Sequence, residues 1–98
     1  MLVLDFANPI HTFTINDTWT SGKDCYLCGS LHSRSQNEAV NLIINDTIIA
    51  NTNGGPQYGG TDIYIAPLKI KNGDIVKITA PTNPSLQSCA LHAYDVIV

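Results

Sequence analysis

Residues 62–79, which read DIYIAPLKIKNGDIVKIT, predict two β-strands joined by a tight turn. Residues typical of β-strands, such as isoleucine, valine and tyrosine, are frequent on both sides of Asn72-Gly73. The Asn-Gly pair favours a two-residue type I′ turn and therefore predicts a hairpin. Pro67 has no backbone N–H, so the first of the two strands is predicted to lie at a sheet edge or to contain a bulge.

The same signals recur along the chain at short intervals. Eight strands are predicted, at Leu2–Phe6, His11–Ile15, Asp24–His32, Ala39–Ile44, Thr47–Ala50, Asp62–Ile70, Asp74–Thr79 and Ser88–Val98. Asn45-Asp46 predicts a second hairpin, and other turn-forming clusters separate the remaining strands. Because helical periodicity is nearly absent, no helix is expected to provide the crossovers that parallel strands need. The predicted fold class is an all-β, antiparallel sandwich of jelly-roll type.

Length and composition restrict the class of protein. The 98 residues, 44% of them hydrophobic, allow one domain, 1–98, with a buried core. A net charge of −3 argues against nucleic-acid binding, which normally uses a basic surface. The longest apolar runs are far shorter than the roughly 20 residues of a membrane-spanning helix, and the first residues lack a signal-peptide pattern. We therefore expect neither membrane insertion nor a secretory signal.

The three cysteines do not predict a metal or redox site. Cys25 and Cys28 have the C-x-x-C spacing of zinc knuckles and redox motifs. They fall within a predicted strand, however, where alternation directs the two thiols to opposite faces. Cys89 has no ligand spacing to them, and an odd number of cysteines argues against a complete disulfide set within the chain. No metal and no cofactor is predicted, and a zinc site is the less favoured alternative.

No residue is predicted to be catalytic. The sequence contains no nucleophile elbow, no His-Glu-x-x-His motif and no phosphate-binding loop. Its aspartates fall mostly at predicted turns, where Asp is a common turn former. His11, His32 and His92 are interpreted as half-exposed strand residues, with a metal or anion on a threefold axis as the alternative. The chain is therefore predicted not to be an enzyme.

A Gly- and Asn-rich loop, residues 51–61, is the longest irregular stretch. Long loops on rigid β scaffolds often bind ligands, and this loop offers amides and a ring suited to the hydroxyls and the apolar face of a sugar. Trp19 offers a second ring, although its burial in the core or in an interface is the favoured alternative. The predicted ligand-binding residues are Trp19, Asn53, Gln57, Tyr58 and Tyr64.

Several segments, in their order along the chain, resemble the small C-terminal head domains of phage tail fibres. Residues 18–29 are similar to the Tyr-Thr-Ala, turn and Asp-Cys/Gly-Tyr opening of those heads. Residues 42–49 resemble their apolar hairpin, and residues 65–76 resemble their Pro-Leu-Lys-Lys-Gly-Asp-Thr-Val segment. The closing strand, Cys89–Val98, is also similar. Cys25 stands where those heads usually have Gly, and Asn45-Asp46 replaces their Asn-Gly.

The resemblance implies a jelly-roll head of the tumour-necrosis-factor-like kind, assembled as a homotrimer at the tip of a fibre, needle or spike. Such heads lie on the virion and contact the host surface, often through polysaccharide. The expected function is therefore host attachment as a virion structural protein. The expected partners are further copies of this chain and a host cell-surface polysaccharide. A monomeric carbohydrate-binding module is the alternative.

Overall fold

The computed structural model describes residues 2–34, 39–52, 61–80 and 87–97. Within these ranges the chain forms eight β-strands, and no helix that could span a membrane is present. The strands are β1 (His11–Thr12), β2 (Thr18–Thr20), β3 (Cys25–Ser33), β4 (Asn41–Ile44), β5 (Thr47–Asn51), β6 (Thr61–Ile70), β7 (Ile75–Thr79) and β8 (Gln87–Tyr94).

The strands form two four-stranded sheets. The first sheet has the order β1-β8-β3-β6 and the second has the order β2-β7-β4-β5, with antiparallel pairing throughout. The pairs β1·β8, β2·β7, β3·β6 and β4·β5 are those of a long hairpin rolled into a sandwich, which is the jelly-roll arrangement. The predicted fold class is thus confirmed.

The core lies between the two sheets. Alternate residues of each strand point inward, so the first sheet buries Leu27, Leu31 and Leu91 against Leu42 and Ile78 of the second. All five side chains are fully buried. Burying a side chain of this size contributes about 1.5–3 kcal/mol, so this two-layer core is the main source of stability.

Pro67 lies in a β-bulge on an edge strand. The register between β3 and β6 shifts between Leu27 and Gly29, where Ala66 and Pro67 together oppose Cys28. Strand β6 is the last strand of the first sheet. Both features predicted from the missing N–H of proline are therefore present.

The two predicted hairpins have different outcomes. Asn45 (φ 50°) and Asp46 (φ 67°) are both left-handed, as a type I′ turn requires, and they join the paired strands β4 and β5. The prediction of a hairpin at Asn72-Gly73 is wrong, because β6 and β7 belong to different sheets. Only Gly73 has a positive φ there, at 93°, which is the type II pattern. This turn carries the chain from one layer of the sandwich to the other.

Predicted strand boundaries also differ at the N-terminal part of the chain. The predicted strand Leu2–Phe6 is wrong: Leu4 forms a single bridge to Val96, and the chain then turns, with Asn8 N donating to Asp5 O (3.3 Å). Strand β1 is shorter than the predicted His11–Ile15. Strand β2 is not among the predicted strands, because three residues between two turns show no measurable alternation.

Candidate ligand-binding face

The outer surface of the first sheet carries several aromatic and polar side chains. We call this surface the tyrosine face. Its members alternate with the core residues of β3, β6 and β8, and they are Tyr26, Cys28, Ser30, His32, Asp62, Tyr64, Lys69, Ser88, Ala90, His92 and Tyr94. The two ends of this face differ in chemistry.

One end of the tyrosine face is apolar. Phe6 packs edge-on against Tyr94, with ring centroids 4.8 Å apart, and burial raises the pKa of the Tyr94 hydroxyl. Beside this pair, both terminal segments expose apolar side chains. We call these the terminal patch, which consists of Leu2, Phe6, Val96 and Ile97.

The opposite end is polar. Strand register places His32 between Asp62 on β6 and Ser88 on β8. His32 Nδ1–H donates to Asp62 Oδ1 at 2.6 Å. Among the described residues no hydrogen bond joins Ser88 Oγ to His32, and the side chains of this row can donate and accept hydrogen bonds.

Tyr64 lies in the row next to this polar row. Its side chain is 81% exposed, and its cross-strand neighbour is Ser30, which is followed by Ala90 on β8. Because both neighbours are short, nothing in this row covers the Tyr64 ring. The ring is therefore available for stacking.

Trp19 occupies a different environment. Its indole stacks on His11, with centroids 5.0 Å apart and planes 8° apart, and it meets Phe13 edge-on. Trp19 is only partly exposed and packs against the core, while His11 Nε2 is hydrogen-bonded to Asp17 Oδ2 at 2.8 Å. The structure thus places Trp19 in an aromatic cluster that already contacts its ring.

The other predicted ligand residues are not brought together with Tyr64 by the described structure. Asn53, Gln57 and Tyr58 lie outside the described residues. Trp19 lies on β2, in the other sheet from Tyr64.

Three residues next to Tyr64 were missed by the sequence-based prediction: Asp62, His32 and Ser88. The spacing of Asp62 and Tyr64 was a usable signal, because residues two apart on a strand share a face. The approach of His32 and Ser88 depends on strand register, which is not visible in the sequence.

The cysteines occupy separate environments, as alternation predicts. Cys25 is buried in the core and Cys28 lies on the tyrosine face. Burial raises the pKa of both thiols, so they stay protonated at neutral pH. Among the described residues, no group of three or more His, Cys, Asp or Glu side chains could hold a metal ion.

Two aspartates outside the polar row have lowered pKa values. Hydrogen bonds from the Asn45 side chain and the Lys71 backbone lower the pKa of Asp74. A hydrogen bond from Lys23 Nζ at 2.6 Å lowers the pKa of Asp95. Neither carboxylate contacts the polar row.

The described part of the chain encloses no pocket, so a ligand of the tyrosine face would bind on an open surface. Comparison with models of protein families, with curated proteins and with solved structures finds no match to this chain.

Proposed function

We propose that this chain is a host-attachment head of a virion, at the tip of a phage tail fibre or spike, that works as a homotrimer and binds a glycan of the host surface. Several sequence segments resemble phage tail-fibre heads in the same order along the chain, and this resemblance supports the proposal. The jelly-roll topology, which the resemblance implies, also supports it. The observation that carries it is the terminal patch.

The terminal patch is apolar surface that lies outside the buried core of the described residues. The exposed fraction is 62% for Phe6, 61% for Ile97 and 45% for Leu2. These residues lie on two terminal segments that the Leu4–Val96 bridge holds side by side, and clusters of exposed apolar side chains are typical of protein–protein contacts. Phe6 also continues the patch onto Tyr94, so association would bury aromatic as well as aliphatic groups. The expectation of three copies rests on the resemblance to phage tail-fibre heads.

The test is the mass in solution, which is expected to be three times the 10.6 kDa of one chain. Unfolding should also depend on protein concentration, because folding and assembly are linked. Phe6→Ser and Ile97→Ser should shift the protein toward monomer. Ile48→Ser is the matched control, since Ile48 is 55% exposed but lies on the second sheet.

A monomer at micromolar concentration would refute the trimeric head. The alternative would then be a monomeric carbohydrate-binding module, which the exposed ring of Tyr64 favours. The virion assignment has its own test, because antibodies against the chain should label the tail tips of particles that carry it. Labelling confined to host cells would exclude a virion component.

A further inference from the structure

We propose that Tyr64, Asp62 and His32 form a binding site for one neutral pyranose unit of a saccharide. The apolar face of the sugar ring stacks on Tyr64, and two adjacent hydroxyls donate to the carboxylate of Asp62. This inference names the ligand class for the glycan-binding part of the proposed function and rests on that part. It does not depend on the number of copies in the assembly.

Tyr64 supplies the stacking surface. A tyrosine side chain that is 81% exposed on the outer face of a sheet leaves a large apolar area in water. Its neighbours across the sheet, Ser30 and then Ala90, are too short to cover the ring. A flat ligand can therefore lie on the tyrosine without displacing another side chain.

Asp62 supplies acceptors at a fixed position. Asp62 and Tyr64 are two residues apart on the same face of β6, which separates them by about 7 Å along the strand. His32 Nδ1–H holds Asp62 Oδ1 and leaves Oδ2 to accept from a ligand. Because this bond already restrains the carboxylate, less side-chain freedom is lost when a ligand binds.

The chemistry of the row selects a neutral, hydroxyl-rich ligand. An ionised carboxylate accepts hydrogen bonds but cannot donate them, so its ligand must carry donors. An anionic sugar would place a second negative charge near Asp62, and a purely apolar ligand would desolvate Asp62 and His32 without replacing their water. A pyranose has an apolar C–H face for Tyr64 and hydroxyl donors at its edge for Asp62.

The site and the terminal patch lie at opposite ends of the tyrosine face. On β8, Ser88 is level with Asp62 and Ala90 is level with Tyr64, so these two rows lie about 20 Å and about 13 Å from Tyr94 along the strand. Assembly through the terminal patch therefore leaves Tyr64 accessible. Each contact on an open surface is weak, and several linked copies would raise the apparent affinity without any new contact.

The experiment is an NMR chemical-shift titration of the full chain with methyl glycosides of glucose, galactose and mannose, with N-acetylneuraminic acid as the anionic comparison. At least one neutral glycoside should bind, and it should perturb the amides of β6 and β3 around Tyr64. Tyr64→Ala and Asp62→Asn should each weaken this binding by about tenfold, the effect of roughly 1.4 kcal/mol. Tyr64→Phe keeps the ring and should bind as the native chain does.

Asp46→Asn is the matched control for charge, because Asp46 lies on the β4–β5 turn of the other sheet and its side chain is 93% exposed. Unchanged affinity in Tyr64→Ala, tighter binding of the anionic sugar, or a change of solution mass in Tyr64→Ala would overturn the assignment of this site. If the chain is trimeric and labels tail tips while these titrations fail, only the sugar site is refuted. If the titrations succeed with a monomer, only the trimeric head is refuted.

Discussion

Replacement of Gly29 by alanine should severely destabilise the first sheet. Gly29 lies in β3, an interior strand with β8 on one side and β6 on the other. Its φ is 145°, a conformation that residues with a side chain rarely adopt. A Cβ at this position would overlap the carbonyl oxygen of Ala90 and lie 2.8 Å from Leu91 Cα. Both are backbone atoms of β8, so no side-chain rotation can relieve the overlap.

Two costs add in this substitution. Holding alanine in a sparsely populated backbone conformation costs about 1–3 kcal/mol. Forcing an extra carbon into a closely packed region costs about another 1–3 kcal/mol. The loss in free energy of unfolding should therefore be about 2–6 kcal/mol, against the roughly 5–15 kcal/mol that stabilises a typical domain. Gly29→Ala should consequently be marginally folded.

Two other glycines separate these costs. Gly73 has a positive φ of 93° but open space around its Cα, so Gly73→Ala should lose only the conformational part, about 1–2 kcal/mol. Gly22 has open space around it and no positive φ. Gly22→Ala should therefore leave the free energy of unfolding unchanged or raise it by about 0.4–1 kcal/mol, because alanine lowers the conformational entropy of the unfolded chain. The predicted order of stability is Gly22→Ala, then Gly73→Ala, then Gly29→Ala.

Urea unfolding at one fixed protein concentration measures this order. Trp19 is the only tryptophan and stacks on His11, so its fluorescence should change when the sandwich opens. The unfolding midpoints of the variants can be compared directly if the free energy of unfolding depends on urea concentration with the same slope in each. If Gly29→Ala unfolds at the same urea concentration as Gly73→Ala, β8 does not approach β3 as described and the reasoning is refuted.

Three further predictions concern acid, thiols and a turn. A carboxyl whose pKa is lowered in the folded state stabilises the protein above its unfolded pKa, near 3.9, and this stabilisation is lost as the pH falls through the folded pKa. Because the pKa values of Asp74 and Asp95 are lowered, the urea midpoint should decrease when the pH is lowered below about 4. Asp74→Asn should make this decrease smaller. Iodoacetamide at pH 7 should modify the partly exposed Cys28 before the buried Cys25, and equal rates in the native protein would contradict the assigned faces. Asp46→Gly should stabilise the type I′ turn by about 0.5–1 kcal/mol, since Gly adopts positive φ without strain; a lower urea midpoint would contradict this.

The sequence predicts the strands of this sandwich better than their partners. The β-type residues of 62–70 predict β6, and the missing N–H of Pro67 predicts an edge position or a bulge, both of which are present. The turn at Asn72-Gly73 shows the limit of this reasoning. Two strands that flank a tight turn bury alternate residues whether they pair with each other or face each other across a core. Ile70 and Val76 are both fully buried, but they lie in opposite sheets. Only long-range packing distinguishes these two outcomes.

The candidate site, like the fold, could be predicted from the sequence only in part. Tyr64 could be identified from the sequence as an aromatic residue on a half-exposed strand. The bond between His32 and Asp62 joins residues 30 positions apart and exists only because β3 and β6 pair in one particular register. A shift of one residue would turn one of the two side chains toward the core. No local pattern in the sequence fixes that register.

The edges of both described sheets disfavour the addition of strands from other copies of the chain. An unprotected edge strand offers free N–H and C=O groups to another chain and invites open-ended sheet extension. Here β1 and β2 are only two and three residues long, while β5 and β6 carry register shifts, at Ile49 and at Pro67. All four edges of the two described sheets are thus poor templates for adding a strand. Contact between copies through the terminal patch would bury exposed apolar side chains without adding a strand to either sheet.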